Sequence, residues 1–139
     1  MSKPFCYPRR IEFRDTDAAG MVHFSVFFIY MEEAEHAMLR ELGLDVFLED
    51  QDGPISFPRV AASCDYQSPL HFGETVLVNV TVSKVGHRSV TYQFDFKRDE
   101  TQIATGQTTT VCCRLADDHK IEAVDIPGNV RDVLAKAPS

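Results

Sequence analysis

Hydrophobic and polar positions along this chain form one helical stretch followed by a series of alternating ones. From Ser25 to about Leu42, the apolar residues Phe27, Tyr30, Met31, Ala34, Ala37, Met38 and Leu42 recur at the spacing of a single helical face. The first half, Val26-Phe27-Phe28-Ile29-Tyr30-Met31, is apolar nearly all round, which predicts a helix covered on most sides. Gly43 stands where such a helix stops. Upstream, 5–13 has partial strand character, with Ile11 and Phe13 on one face and Arg10 and Glu12 on the other. Asp17 to Gly20 reads as a turn between the two. After a linker over 45–58, marked by Asp50-Gln51-Asp52-Gly53-Pro54, four strands are predicted at 60–67, 75–85, 89–98 and 102–114. A short helix closes the chain near 129–135. A strand, one long apolar helix and then a run of strands make an α+β fold. The pattern suits a central helix wrapped by a curved antiparallel sheet of about five strands.

The chain has 139 residues, read as a single domain over 1–139, and that length buries about 70% of the unfolded surface. Fourteen basic against twenty-one acidic residues give a net charge of −7. That charge disfavours nucleic acid and anionic membrane as partners and makes any local cluster of basic residues conspicuous. The longest apolar run, Val26 to Met31, is too short to span a bilayer. Met1-Ser2-Lys3-Pro4 lacks the apolar stretch of a signal peptide, so a cytoplasmic protein is expected. Cys6, Cys64, Cys112 and Cys113 lack zinc-type spacing and read as free thiols. No metal or redox cofactor is implied.

The chemistry concentrates in Asp15-Thr16-Asp17-Ala18-Ala19-Gly20-Met21-Val22-His23-Phe24. It delivers a carboxylate just before a helix N-terminus, where unpaired N–H groups and the macrodipole favour negative charge. A base or nucleophile beside such a site outlines attack on a carbonyl. Taken alone, Asp17 also reads as an Asp stabilising its own turn, and Asp15 as one tying the turn down through backbone hydrogen bonds. Lys84, His87 and Arg88 form the only compact basic group near a strand turn, suited to phosphate or to a solvated hairpin end.

The Asp-x-Asp-x-x-Gly-x-Val-x-Phe pattern at 15–24, followed by a helix carrying Glu32, resembles the hotdog-fold acyl-CoA thioesterases of the 4-hydroxybenzoyl-CoA thioesterase type. Pro58, the segment Tyr66-Gln67-Ser68-Pro69-Leu70-His71-Phe72-Gly73-Glu74 and the segment Lys84-Val85-Gly86-His87-Arg88-Ser89 extend the likeness, which runs from about Phe13 to Leu115. The resemblance implies hydrolysis of an acyl-CoA thioester to free acid and coenzyme A, with coenzyme A as part of the substrate. It implies Asp17 as the catalytic carboxylate and the backbone N–H of Phe24 as the donor that polarises the thioester carbonyl. Glu32 matches a position that contacts the acyl group. His23 lines the pocket or carries a proton, although many relatives hold an aromatic residue there. Lys84, His87 and Arg88 would hold the coenzyme phosphates. A homodimer or homotetramer with shared sites is implied as well. Two alternatives share the fold: a dehydratase or hydratase, whose Gly-Asp-x-Asn-Pro-like context is absent, and a non-catalytic acyl-CoA or acyl-carrier binding module.

Overall fold

Strand β1 (Phe5–Arg10) leads through a 3-10 turn at Phe13–Asp15 into helix α1 (Val26–Glu41). The computed structural model describes residues 3–139. Two short strands follow, β2 (Leu48–Asp50) and β3 (Gly53–Ser56), and then β4 (Arg59–Tyr66), β5 (Thr75–Val85), β6 (Ser89–Arg98) and β7 (Thr101–Val111). β8 (Cys113–Leu115), β9 (Ile121–Ala123) and helix α2 (Gly128–Ala135) complete the chain. The fold is α+β, two helices with antiparallel sheets. The larger sheet has the order β1-β5-β6-β7-β4 and the smaller β2-β3-β8-β9. Among the described residues no helix is long and apolar enough to cross a membrane.

Alternation decides which face of the large sheet is dry. Val76, Val78, Val80 and Val82 of β5 and Val90, Tyr92, Phe94 and Phe96 of β6 are all buried on one side. Full burial of each such side chain stabilises by about 1.5–3 kcal/mol relative to exposure. Helix α1 lays Phe27, Tyr30, Met31, Ala34 and Met38 into the same core. The closest approach is at Gly106 of β7, where a Cβ would stand 2.1 Å from Met31 Cε and 3.2 Å from the Ser63 carbonyl oxygen. A larger residue at 106 would require the end of the Met31 side chain to move and the β4 backbone to give slightly.

The structure departs from the sequence reading in four places, one of them the strand expected at 102–114, which breaks at Cys112 into β7 and β8 of different sheets. β1 ends at Arg10 rather than Phe13, and the chain turns at once, so Phe13 is 76% exposed and does not share a strand face with the buried Ile11. The apolar first half of α1 is not covered all round: Ile29 points away from the sheet and is 54% exposed in the single chain. The linker at 45–58 contains β2 and β3, which pair with each other and, through β3, with β8. Strands of three or four residues show too little alternation to announce themselves.

The crowding at Gly106 carries a prediction. Gly106→Val should destabilise the fold by about 1–3 kcal/mol through overpacking. In a Met31→Ala background the same change should cost clearly less, because the clashing methyl is gone. Urea unfolding of the four proteins measures this, and equal costs in both backgrounds would refute the contact.

Candidate active site

The loop before α1 is held by its own backbone. Asp17 N–H donates to the Met21 carbonyl at 2.8 Å, and Gly20 N–H donates to the Asp17 carbonyl at 2.9 Å. Gly20 closes this turn at φ +79°, a conformation that L side chains rarely adopt. The Asp17 carboxylate accepts the Ala19 N–H through Oδ1 at 2.9 Å. That is the turn-stabilising bond expected of an Asp in a loop, and it occupies only one of the two oxygens. Val22 N–H donates to the Leu70 carbonyl, which fastens the loop to the segment after β4.

Asp15 faces the other way. It is buried, and its Oδ2 accepts the Tyr30 hydroxyl at 2.8 Å and the Glu12 N–H at 2.9 Å. Arg9 lies 3.5 Å from the same oxygen and 4.9 Å from the centre of the Tyr30 ring. Burial first, and then the bond to Asp15, push the Tyr30 hydroxyl well above its ordinary pKa, so it stays a donor. Asp15 ends the 3-10 turn, and the extended Thr16 carries the chain on to Asp17. Asp15 secures the loop to α1, and Asp17 faces outward.

Asp17, Phe24, Phe27, Tyr66 and Leu70 line one cleft of about 370 Å³ at the N-terminus of α1. The backbone N–H of Phe24 finds no acceptor among the described residues, whereas His23 N–H donates to the Asp15 carbonyl and Val26 N–H to the His23 carbonyl. The Phe24 carbonyl accepts the Tyr66 hydroxyl at 2.9 Å, which fixes the next peptide from the far wall, while the peptide that carries the Phe24 N–H is held through its His23 carbonyl by Val26. Partial burial and the neighbouring Cys64 thiol push the Tyr66 hydroxyl up to about 12, so it remains protonated for this role. Tyr66 is the residue that sequence reasoning passed over; it stood inside a recognised segment, but nothing in that segment showed its reach to Phe24. Arg98 donates to the Pro69 carbonyl at 2.8 Å and steadies the same wall.

The remaining expected residues lie apart. The exposed His23 joins its Nδ1 to Ser25 Oγ at 2.7 Å, and its ring lies 4.6 Å from that of Phe24. Glu32 is exposed on α1 and pairs with Arg59 at 3.3 Å. Lys84, His87 and Arg88 sit at the β5–β6 turn, the opposite end of the sheet from the cleft. The eleven residues of β5 put about 30 Å between the two ends. Arg88 is engaged by Asp125 at 3.1 Å, in an exposed pair.

A second polar cluster was not foreseen. Glu35, 4% exposed, accepts a bond from Arg59 at 3.0 Å, and His36 Nε2 lies 4.0 Å from its other oxygen. Burial raises the Glu35 carboxyl to about 7, despite the opposing pull of Arg59. Its apolar-face position within a run of three glutamates hid it, since Glu32 and Glu33 read as surface.

Residues 11–136 match the family model described as the thioesterase-like superfamily. A putative esterase of Aquifex aeolicus is 32% identical over 132 residues, covering 94% of this chain and 98% of that protein. Among solved structures, a 1,4-dihydroxy-2-naphthoyl-CoA thioesterase from Synechocystis is 28% identical with a TM-score of 0.82, over 95% of this chain and 96% of the other. A gentisyl-coenzyme A thioesterase is 32% identical with a TM-score of 0.79, over 94% and 99%.

The raised Glu35 carboxyl gives a pH signature. The folded chain holds a proton that the unfolded chain releases near 4.5, so the favourable contribution is complete below that pH and lost as pH rises through about 7. The span corresponds to about 3 kcal/mol. Glu35→Gln should therefore lose less stability than the wild type between pH 5 and 8 by about that amount, measured by denaturant unfolding. Parallel pH profiles for the two proteins would exclude it.

Proposed function

The chain belongs to the thioesterase-like superfamily, and from that membership we propose how its cleft performs the chemistry. It is a hotdog-fold acyl-CoA thioesterase, hydrolysing an acyl-CoA to the free acid and coenzyme A. The observation that carries the mechanism is that Asp17 and Phe24, whose N–H has no acceptor among the described residues, line one cleft at a helix N-terminus.

In this reading the thioester carbonyl sits between the two groups, its oxygen toward Phe24. As charge develops on that oxygen, the Phe24 amide and the α1 dipole stabilise it, and such an amide contributes about 2.7–4 kcal/mol. Asp17 drives the attack by one of two routes. Its free oxygen adds to the carbonyl carbon, the thiolate leaves, and water cleaves the resulting anhydride. In the other route, Asp17 takes a proton from a water that attacks directly, the C–S bond breaks, and the proton passes to the departing coenzyme A thiolate. Either consumes only water, with no cofactor. The acyl group in this reading is a hydroxylated aromatic one, in keeping with the substrates named for the two solved relatives and with a wall built from Phe24, Phe27 and Tyr66.

The coenzyme's phosphates belong, in the same proposal, to Lys84, His87 and Arg88 of a second copy. Within one chain that cluster is at the wrong end of the sheet. The exposed Arg88–Asp125 pair is worth about 0–1 kcal/mol and yields readily to a phosphate. Edge strand β4, exposed along most of its length, and the uncovered Ile29 and Phe24 supply the surface for a homodimer, or a homotetramer built from it. Helix α1 then becomes the central helix that the curved sheet wraps, His23 and Glu32 flank the bound acyl group, and the enzyme works in the cytoplasm.

Asp17→Asn keeps the shape and removes the charge. Turnover of an aroyl-CoA should fall by about 10²–10⁴-fold or more with KM and melting temperature little changed. Retained turnover would remove Asp17 from the mechanism. Shared sites predict complementation. Arg88→Ala should raise KM for acyl-CoA but not for a truncated pantetheine thioester. Co-expressed with Asp17→Asn, it should form mixed dimers in which one site is intact, so activity at low acyl-CoA exceeds that of both parents. Activity no higher than their average would argue for a site built within one chain.

A further inference from the structure

A second cavity, of about 220 Å³, opens between α1, α2 and the smaller sheet. It shares no lining residue with the Asp17 cleft. Phe27 belongs to the cleft, and His36 and Leu39 to the cavity. Nine and twelve residues of one helix separate them, about 13–18 Å at 1.5 Å per residue.

Leu39, Leu44, Leu48 and Leu134 form an aliphatic wall, and Phe57 adds an aromatic surface. A dry cavity of about 150 Å³ already holds benzene, so this one has room for a ring with a short substituent. One side is polar. Tyr92 lines the cavity and is 3% exposed, yet its hydroxyl has no hydrogen-bond partner among the described residues. That oxygen is not among the sealed, unsatisfied atoms, of which Thr108 Oγ1 is the one found among the described residues, so it is open to the cavity and an occupant can bond it in place of water. Charge selects further. Arg59 is held by Glu35 at 3.0 Å and by Glu32 at 3.3 Å, so its guanidinium leaves no surplus positive charge for an anion. The carboxylates that line the cavity are already engaged, Glu35 by Arg59 and Asp45 through Oδ1 by the Val46 and Phe47 N–H groups.

We propose that this cavity is a binding site for a small neutral phenol, with its ring among the leucines and its hydroxyl bonded to Tyr92. The site is separate from the one that turns over thioester, and the proposal does not rest on the catalytic reading.

The test is isothermal titration with 4-ethylphenol and with ethylbenzene, which lacks the hydroxyl. The phenol should bind the wild type saturably, one per chain, and about two- to tenfold more tightly than ethylbenzene, the range one neutral hydrogen bond spans. Tyr92→Phe should remove that preference while leaving circular dichroism and melting unchanged. Leu44→Trp, which fills the cavity from a half-buried wall position, should abolish binding of both, and Asp17→Asn should bind normally. Lack of saturable binding, equal affinity of the phenol for wild type and Tyr92→Phe, or displacement by a non-hydrolysable thioether analogue of acyl-CoA would each overturn the proposal. The last result would place the phenol in the cleft instead.

Discussion

One buried carboxylate holds the working end of this protein together. Asp15 gathers Tyr30 from α1, Arg9 from β1 and the Glu12 N–H from the turn between them, in a place where an unpaired charge would be costly. Each partner satisfies part of its hydrogen-bonding capacity, and each comes from a different element. The entry angle of α1 against the first strand is thereby set. Asp17 is two residues further on, and His23 donates its amide back to the Asp15 carbonyl. Placement of the outward carboxylate and of the Phe24 peptide thus depends on the inward one.

Much of the fold was readable because it obeys simple periods. The strands at 75–85 and 89–98 coincide with β5 and β6, whose alternating Val, Tyr and Phe leave little choice of face, and α1 falls within a residue of its expected ends. What stayed hidden was set by tertiary contact. β2 and β3 exist because β8 pairs with β3 from far along the chain, and no local pattern encodes that. Phe13 was placed on one face with Ile11, but the chain turns away after Arg10 and leaves it exposed.

The site was legible to a different degree. Asp17 and Phe24 were picked out by motif and resemblance, and the fold brings them to one cleft. The support for Phe24 from Tyr66 spans 42 residues of sequence and leaves no trace in spacing. Glu35 was masked by its neighbours: three carboxylates in four positions look like a solvated face, yet helical geometry turns one of them inward to meet Arg59. The basic cluster at the β5–β6 turn was recognised as a group, but its distance from the cleft became visible only with the sheet laid out.

The small turn at Asp17–Gly20 has a thermodynamic consequence. Three hydrogen bonds fix the backbone around the Asp17 carboxylate and one of its oxygens before any substrate arrives. The conformational entropy of orienting that group is therefore lost once, when the chain folds, and not again each time a ligand enters the cleft.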